Sequence, residues 1–175
     1  MQRISVVGTS GSGKSTLARQ IAQILKIRHV ELDALHWEKG WTEAADFPQK
    51  VVAALQGDSW VVDGNYSKVR DLVWSRADTV IWLDYTLPVL LWRINKRTLR
   101  RCITRQRLWN GNRENLLQQF FTRDSMYWWV LKTYRRRRAE YPQWFAKPEY
   151  THLTVLHFQS PKATSRWLSQ LQPRS

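Results

Sequence analysis

A chain of 175 residues with a net charge of +14 is long enough to build one α/β domain around a sizeable core. Its single cysteine, Cys102, excludes a disulfide framework and a cysteine-held zinc cluster; the absence of a long apolar run excludes a membrane span, and with no leader-like start at Met1-Gln2-Arg3 the expected setting is the cytoplasm. Residues 1–90 hold ten basic and ten acidic side chains, so the whole excess falls in residues 91–175, where a basic face wants an anionic partner such as phosphates, an acidic acceptor or nucleic acid.

Arg3 to Val7 is a short β-prone run that ends at Gly8. The next eight residues, GTSGSGKS from Gly8 to Ser15, fit the G-x-x-x-x-G-K-[ST] pattern of a phosphate-binding loop. Glycines let the backbone turn tightly and bring its N–H groups against phosphate oxygens. Lys14 to Leu25 follows, with Leu17, Ile21, Ile24 and Leu25 at helical spacing, so a helix start lends the positive end of its dipole. The expected nucleotide-binding set is Gly8, Thr9, Ser10, Gly11, Ser12, Gly13, Lys14, Ser15 and Thr16. Lys14 reaches the β and γ phosphates, and the Ser15 hydroxyl ligates Mg²⁺. A dinucleotide fingerprint fits less well, because Thr16 stands where its third glycine belongs.

Beyond the loop, strands and helices are predicted to alternate. His29 to Leu32 reads as a strand leading into Asp33. Asp46, Pro48 and Gln49 read as a capped helix start, and Gly57 ends that helix after about Gln56. Trp60 to Gly64 is a strand and its turn, Ser67 to Ser75 a short helix, and Thr79 to Asp84 a continuous apolar strand. Leu87 to Arg101 is helical. An arginine-rich insertion then spans about 101–141. It carries turn residues between Arg105 and Arg113 and a helix from Asp124 to Tyr141, and it stands where a mobile lid would. Thr154 to Phe158 is the fifth strand, and Ser160-Pro161 starts a last helix reaching Leu171. This order predicts a single domain with a parallel sheet covered on both faces.

Open parallel sheets bind ligands at the carboxyl ends of their strands, and Asp33, Asp63 and Asp84 are all predicted there. Asp33 is the candidate for accepting a hydroxyl proton. Asp63 is the candidate for the metal side, with Asp84 its rival. His36 and Trp37 are candidates for an acceptor pocket, joined by Asn65 and Tyr66 after Gly64. The histidines show no zinc-ligand spacing. Arg93, Arg97, Arg100 and Arg101 recur on or near one helical face, where guanidinium groups can meet the charge of a transferring phosphoryl group. Arg135 to Arg138 point all round their helix and are read as mainly solvated or as a polyanion contact.

Taken together, GTSGSGKSTLA, LDALHW, WVVDGNY, RADTVIWLD and the arginine-rich helix resemble the small P-loop kinases, and within them the adenylate-kinase-related group often labelled DNA topology modulation proteins. The resemblance covers nearly the whole chain. It implies a nucleotide-kinase-like fold with strand order 2-3-1-4-5, an acceptor-side acid at Asp33, a Mg²⁺-holding acid at Asp63, lid arginines at Arg97 to Arg101, and adenine near Gln159 to Lys162. Asn65-Tyr66-Ser67 stands where adenylate kinases carry Phe-Pro-Arg, which leaves Arg70 as the substitute clamp. The expected activity is ATP- and Mg²⁺-dependent phosphoryl transfer, with Lys14, Asp33, Arg97 and Arg101 catalytic, to a small acceptor held by Asp33, His36, Trp37, Asn65, Tyr66 and Arg70. The alternatives are a nucleic-acid-binding ATPase or polynucleotide-end kinase, and a nucleotide-binding regulator that transfers nothing.

Overall fold

The structure is a computed structural model that describes residues 1–104, 109–111 and 126–172. Five parallel strands lie in the order β2-β3-β1-β4-β5: β1 (Arg3–Gly8), β2 (Arg28–Glu31), β3 (Trp60–Asp63), β4 (Thr79–Leu83) and β5 (Thr154–Phe158). The described helices are α1 (Lys14–Leu25), α2 (Leu32–His36), α3 (Phe47–Ala54), α4 (Ser67–Trp74), α5 (Leu87–Ile103), α6 (Met126–Phe145) and α7 (Pro161–Gln170). This is the predicted α/β class and the predicted strand order.

Side chains alternate across a strand, so the three central strands feed two cores. Ile4, Val6, Val61, Ile81 and Leu83 face Leu17 and Ile21 of α1 and Leu90 and Ile94 of α5. Val7, Trp60, Val62, Val80 and Trp82 face the other way, onto Phe47, Val51, Val69, Trp74 and Tyr141. Because both faces are covered, β3 and β4 are buried along their whole length. That is why they read as unbroken apolar runs rather than alternating ones.

Several boundaries differ from the sequence reading, each for a local reason. Asp33 does not end a strand: the chain leaves β2 at Glu31 and turns at once into the short helix α2. Gly64 allows this, because a Cβ there would come within 2.7 Å of the Leu32 Cβ, and its φ of +144° disfavours other residues. Asp46 precedes α3, yet its side chain caps nothing; it pairs with Lys50 at 2.7 Å instead. Ser160 does cap α7, accepting from the Ala163 N–H at 3.2 Å. The helix expected from Asp124 is described from Met126 and runs past Tyr141, through Pro142, to Phe145. Its Asp124 start, and most of Arg105 to Arg113, lie outside the described residues.

Trp74 pins the end of α6 to the sheet. It is 2 % exposed, and its ring meets those of Tyr141, Trp144, Phe145 and Tyr150 at centroid distances of 5.1–6.3 Å. Removing a side chain of this size leaves a cavity that the surroundings only partly fill. Trp74→Ala should therefore lower the unfolding free energy by about 3–5 kcal/mol, read as a shift of the urea midpoint; a loss below about 1 kcal/mol would mean that this cluster is not the anchor.

Candidate active site

The carboxyl ends of β1, β3 and β4 open into one large cleft bordered by the glycine loop, α2, α4, α5, α6 and α7. The glycine loop forms its floor. Gly13 stands just before α1 in the left-handed region, at φ +90°, which glycine adopts without a Cβ penalty. The Ser12 N–H donates to the Thr9 carbonyl at 3.1 Å, and Arg93 Nη1 donates to the Ser12 carbonyl at 2.9 Å. Arg93 also lies over the Tyr85 ring at 5.1 Å. So one arginine of the predicted α5 face braces the loop from outside. Ser10 to Thr16 line the cleft, while Gly8 and Thr9 form the loop's base.

Lys14 sits at the cleft floor, its Nζ 3.5 Å from the Thr9 carbonyl. Desolvation above all, then the nearby Arg137 guanidinium, pushes its pKa down to about 8, against the opposing pull of Asp33 and Asp63. An ammonium so crowded by protein and by other cations is a site that wants an anion. A bound polyphosphate would restore the ordinary value, so binding should take up a proton above pH 8. Nucleotide affinity is then expected to fall as pH rises through about 8, by up to about tenfold per unit. Calorimetry in buffers of different ionisation enthalpy measures that uptake directly; affinity that stays flat between pH 7 and 9 would contradict it.

Arg137 is a buried cleft residue that the sequence reading does not single out. The sequence places it, with Arg135, Arg136 and Arg138, in a run read as mainly solvated or as a polyanion contact. Instead it is 8 % exposed, and its Nη1 is buried with no hydrogen-bond partner among the described residues. Burial works against its charge, but a guanidinium stays protonated. A buried guanidinium with a donor left unsatisfied is costly, and Arg137 lies close enough to Lys14 to depress that amine. Arg97 acts on Lys14 in the same direction, and Arg97, Arg100, Arg101 and Arg136 also line the cleft. Arg97 and Arg101 are half-buried there, whereas Arg100 and Arg136 are exposed.

On the metal side, the Ser15 hydroxyl donates to Asp63 Oδ2 at 2.5 Å, and Asp63 is 3 % exposed. A hydroxyl and a carboxylate are hard oxygen donors of the kind Mg²⁺ takes alongside phosphate oxygens and water. Among the described residues no three His, Cys, Asp or Glu side chains form a metal-holding group, so the fit is to an ion shared with the nucleotide. Asp84, the rival, is engaged elsewhere: Arg138 Nε donates to it at 2.8 Å and the His157 ring lies 3.1 Å away.

On the opposite wall Tyr66 donates its hydroxyl to Asp33 Oδ1 at 2.6 Å. Burial and the Asp33 charge hold the Tyr66 phenol strongly protonated. Trp37 lines the cleft beside Trp41 and Trp109, with successive ring centroids 5.7 and 6.3 Å apart. Arg70 lines it too, its guanidinium 4.0 Å over the Trp144 ring. Two further expected acceptor contacts, His36 and Asn65, also line the cleft and are held by protein partners as well. His36 is 4 % exposed and wedged among Trp37, Phe47 and Tyr66, with centroids at 4.4–4.7 Å; burial pushes its pKa down. Asn65 is turned to the loop's base. Its Oδ1 accepts from the Gly8 N–H at 3.1 Å and the Tyr141 hydroxyl at 3.0 Å, and its Nδ2 donates to the Gly8 carbonyl. It fastens the glycine loop to β3 and α6.

No protein-family model and no curated protein matches this chain. Solved structures do. Shikimate kinase from Acinetobacter baumannii in complex with shikimate is 15% identical, with a TM-score of 0.57 over 97% of this chain and 90% of that one. Shikimate kinase from Bacteroides thetaiotaomicron is 16% identical, with a TM-score of 0.56 over 97% and 95%. A gluconokinase from Sinorhizobium meliloti is 19% identical, with a TM-score of 0.51 over 97% and 94%. At these identities the likeness is one of fold: the chain has the fold of the small P-loop kinases.

Proposed function

We propose that this protein transfers the γ-phosphoryl group of ATP, with Mg²⁺, to a hydroxyl of a small acceptor. The observation that carries the reading is the convergence of Lys14, Arg97 and Arg137, whose Nη1 has no hydrogen-bond partner among the described residues, between a Ser15–Asp63 pair and a Tyr66–Asp33 pair in one cleft. That solved proteins of this fold include kinases of shikimate and gluconate supports a small-molecule acceptor. The gathering of these arginines around one cleft favours small phosphate-bearing ligands over a polyanion laid on the surface.

The loop amides and Lys14 hold the β and γ phosphates. Adenine belongs between Tyr85, Pro161, Thr164 and Leu168, which line the cleft beside Arg93 and lie next to the expected Gln159 to Lys162 turn. Ser15 and Asp63 hold the metal side, where Mg²⁺ would neutralise phosphate charge. The acceptor oxygen forms a bond to Pγ, the bond from Pγ to the β-bridging oxygen breaks, and the leaving charge goes to ADP. Asp33 takes the hydroxyl proton while Tyr66 orients its carboxylate. Arg97, Arg101 and Arg137 meet the charge spread over the equatorial oxygens. Trp37, with Trp41 and Trp109, forms the acceptor wall, with Arg70 across from it. The chain is proposed to act as one domain in the cytoplasm.

A screen of hydroxyl metabolites, nucleosides and nucleotides with γ-labelled ATP tests this. One acceptor should become labelled, and Asp33→Asn should slow that labelling by about 10²-fold while ATP affinity holds. Only a moderate loss is expected, because a loose transition state leaves the proton late to move. Hydrolysis alone, or no turnover on any acceptor, would favour a nucleotide-binding regulator.

A further inference from the structure

His29 was assigned no role by the motifs, yet it touches the buried acid of the metal side. In the parallel register of β2 on β3, His29 stands opposite Val61 and Glu31 opposite Asp63. Paired residues two apart on such strands share a face, so His29, Glu31 and Asp63 project the same way. The imidazole reaches diagonally along the ladder and brings Nε2 to 2.8 Å from Asp63 Oδ1. A carboxylate only accepts, so the ring nitrogen donates. Asp63 Oδ2 takes the Ser15 hydroxyl proton at 2.5 Å. Both carboxylate oxygens are thus held, one by the edge strand and one by the glycine loop. Glu31, which would otherwise oppose Asp63 with like charge, is turned away to accept from the Trp109 indole N–H at 3.1 Å.

We infer that His29 is a positioning residue for the metal side of this cleft: its ring locks the Asp63 carboxylate so that Oδ2 stays on the Ser15 hydroxyl and the hydroxyl's lone pairs face the nucleotide. The inference rests on the phosphotransfer reading above. Its physical basis is rotamer control. A short carboxylate held at one oxygen can still rotate about its Cβ–Cγ bond, and holding the second oxygen stops it. Ser15 then donates along a fixed line, and its hydroxyl oxygen is aimed before a cation arrives. Since His29 sits outside the cleft lining, its loss should leave the nucleotide's own contacts in place.

The test is ADP binding by calorimetry, with saturating magnesium and again with EDTA, for the wild-type protein, His29→Leu and His29→Gln. Loss of an outer partner of a metal-side ligand typically costs 10–100-fold in metal affinity. His29→Leu should therefore weaken the magnesium-dependent part of ADP binding by about 10-fold or more and leave binding in EDTA unchanged. His29→Gln can place an amide N–H where Nε2 stands and should recover most of the loss. Equal weakening with and without magnesium would mean that His29 acts only through the fold, and an unaffected His29→Leu would mean that Asp63 needs no such support; either overturns the inference. A wild-type protein whose ADP binding ignores magnesium would overturn the phosphotransfer reading along with it.

Discussion

Lys14→Ala is expected to abolish phosphoryl transfer, with turnover falling by roughly 10⁴-fold, the scale that one well-placed cation contributes to this chemistry. The amine stands at the floor of the cleft under desolvation and cationic repulsion strong enough to bring its pKa to about 8. An anion bound in the cleft would offset that unfavourable position. Removing the amine deletes a charge aimed at the β and γ phosphates but leaves the loop's backbone cradle, so ATP binding should weaken less than turnover does. A single-turnover measurement at saturating ATP separates the two. Turnover within about tenfold of the wild type would show that the glycine loop does not grip the transferred group.

Arg137→Leu is expected to lower kcat by about 10³-fold without loss of stability. Removing one preorganised donor to developing charge costs roughly 10²–10³ in kcat, and a full charge sits at the upper end. The stability half of the prediction has the opposite sign. Arg137 is a buried guanidinium with Nη1 unpartnered among the described residues, and leucine, shorter but of similar volume, removes an incompletely satisfied charge from the interior. The thermal midpoint of the ligand-free protein should stay level or rise while activity collapses. A residue that merely packed would show the reverse: a lower midpoint and near-normal turnover. Should both fall together, Arg137 is part of the scaffold and its assignment to the phosphoryl group is wrong.

Local signals were legible in the sequence; directions in space were not. The glycine loop was readable because its geometry is set within eight residues, with a strand before and a helix after. Strand order followed from resemblance, and burial on both faces explains the apolar runs of Val61-Val62 and Val80 to Leu83. Asp63 could be named from its place at a strand end, but nothing local shows that it faces Ser15 while Asp84 faces Arg138 and His157; that depends on which helix packs over which strand. Arg137 is the sharpest case. Four arginines in a row cover a full turn of helix, and only the docking of α6 decides which one is buried. The α5 face was visible as a period, whereas α6 offered none. Asn65 is ambiguous for a related reason. An amide after a glycine offers the same donors and acceptors to a ligand or to the chain itself, and here Gly8 and Tyr141 take them. Asp46 satisfies the cap pattern but finds Lys50 one turn on, a competing partner that the pattern does not weigh.

The Asn65 amide has a mechanical consequence. It grips both backbone groups of Gly8 and the Tyr141 hydroxyl, and Tyr141 lies one helical turn after Arg137. Gly8 begins the loop that would have to adjust as phosphates settle. Asn65 thereby joins the base of that loop to the helix that carries the buried guanidinium. Were phosphates to load at one end of the cleft and be steered from the other, this joint would link the two.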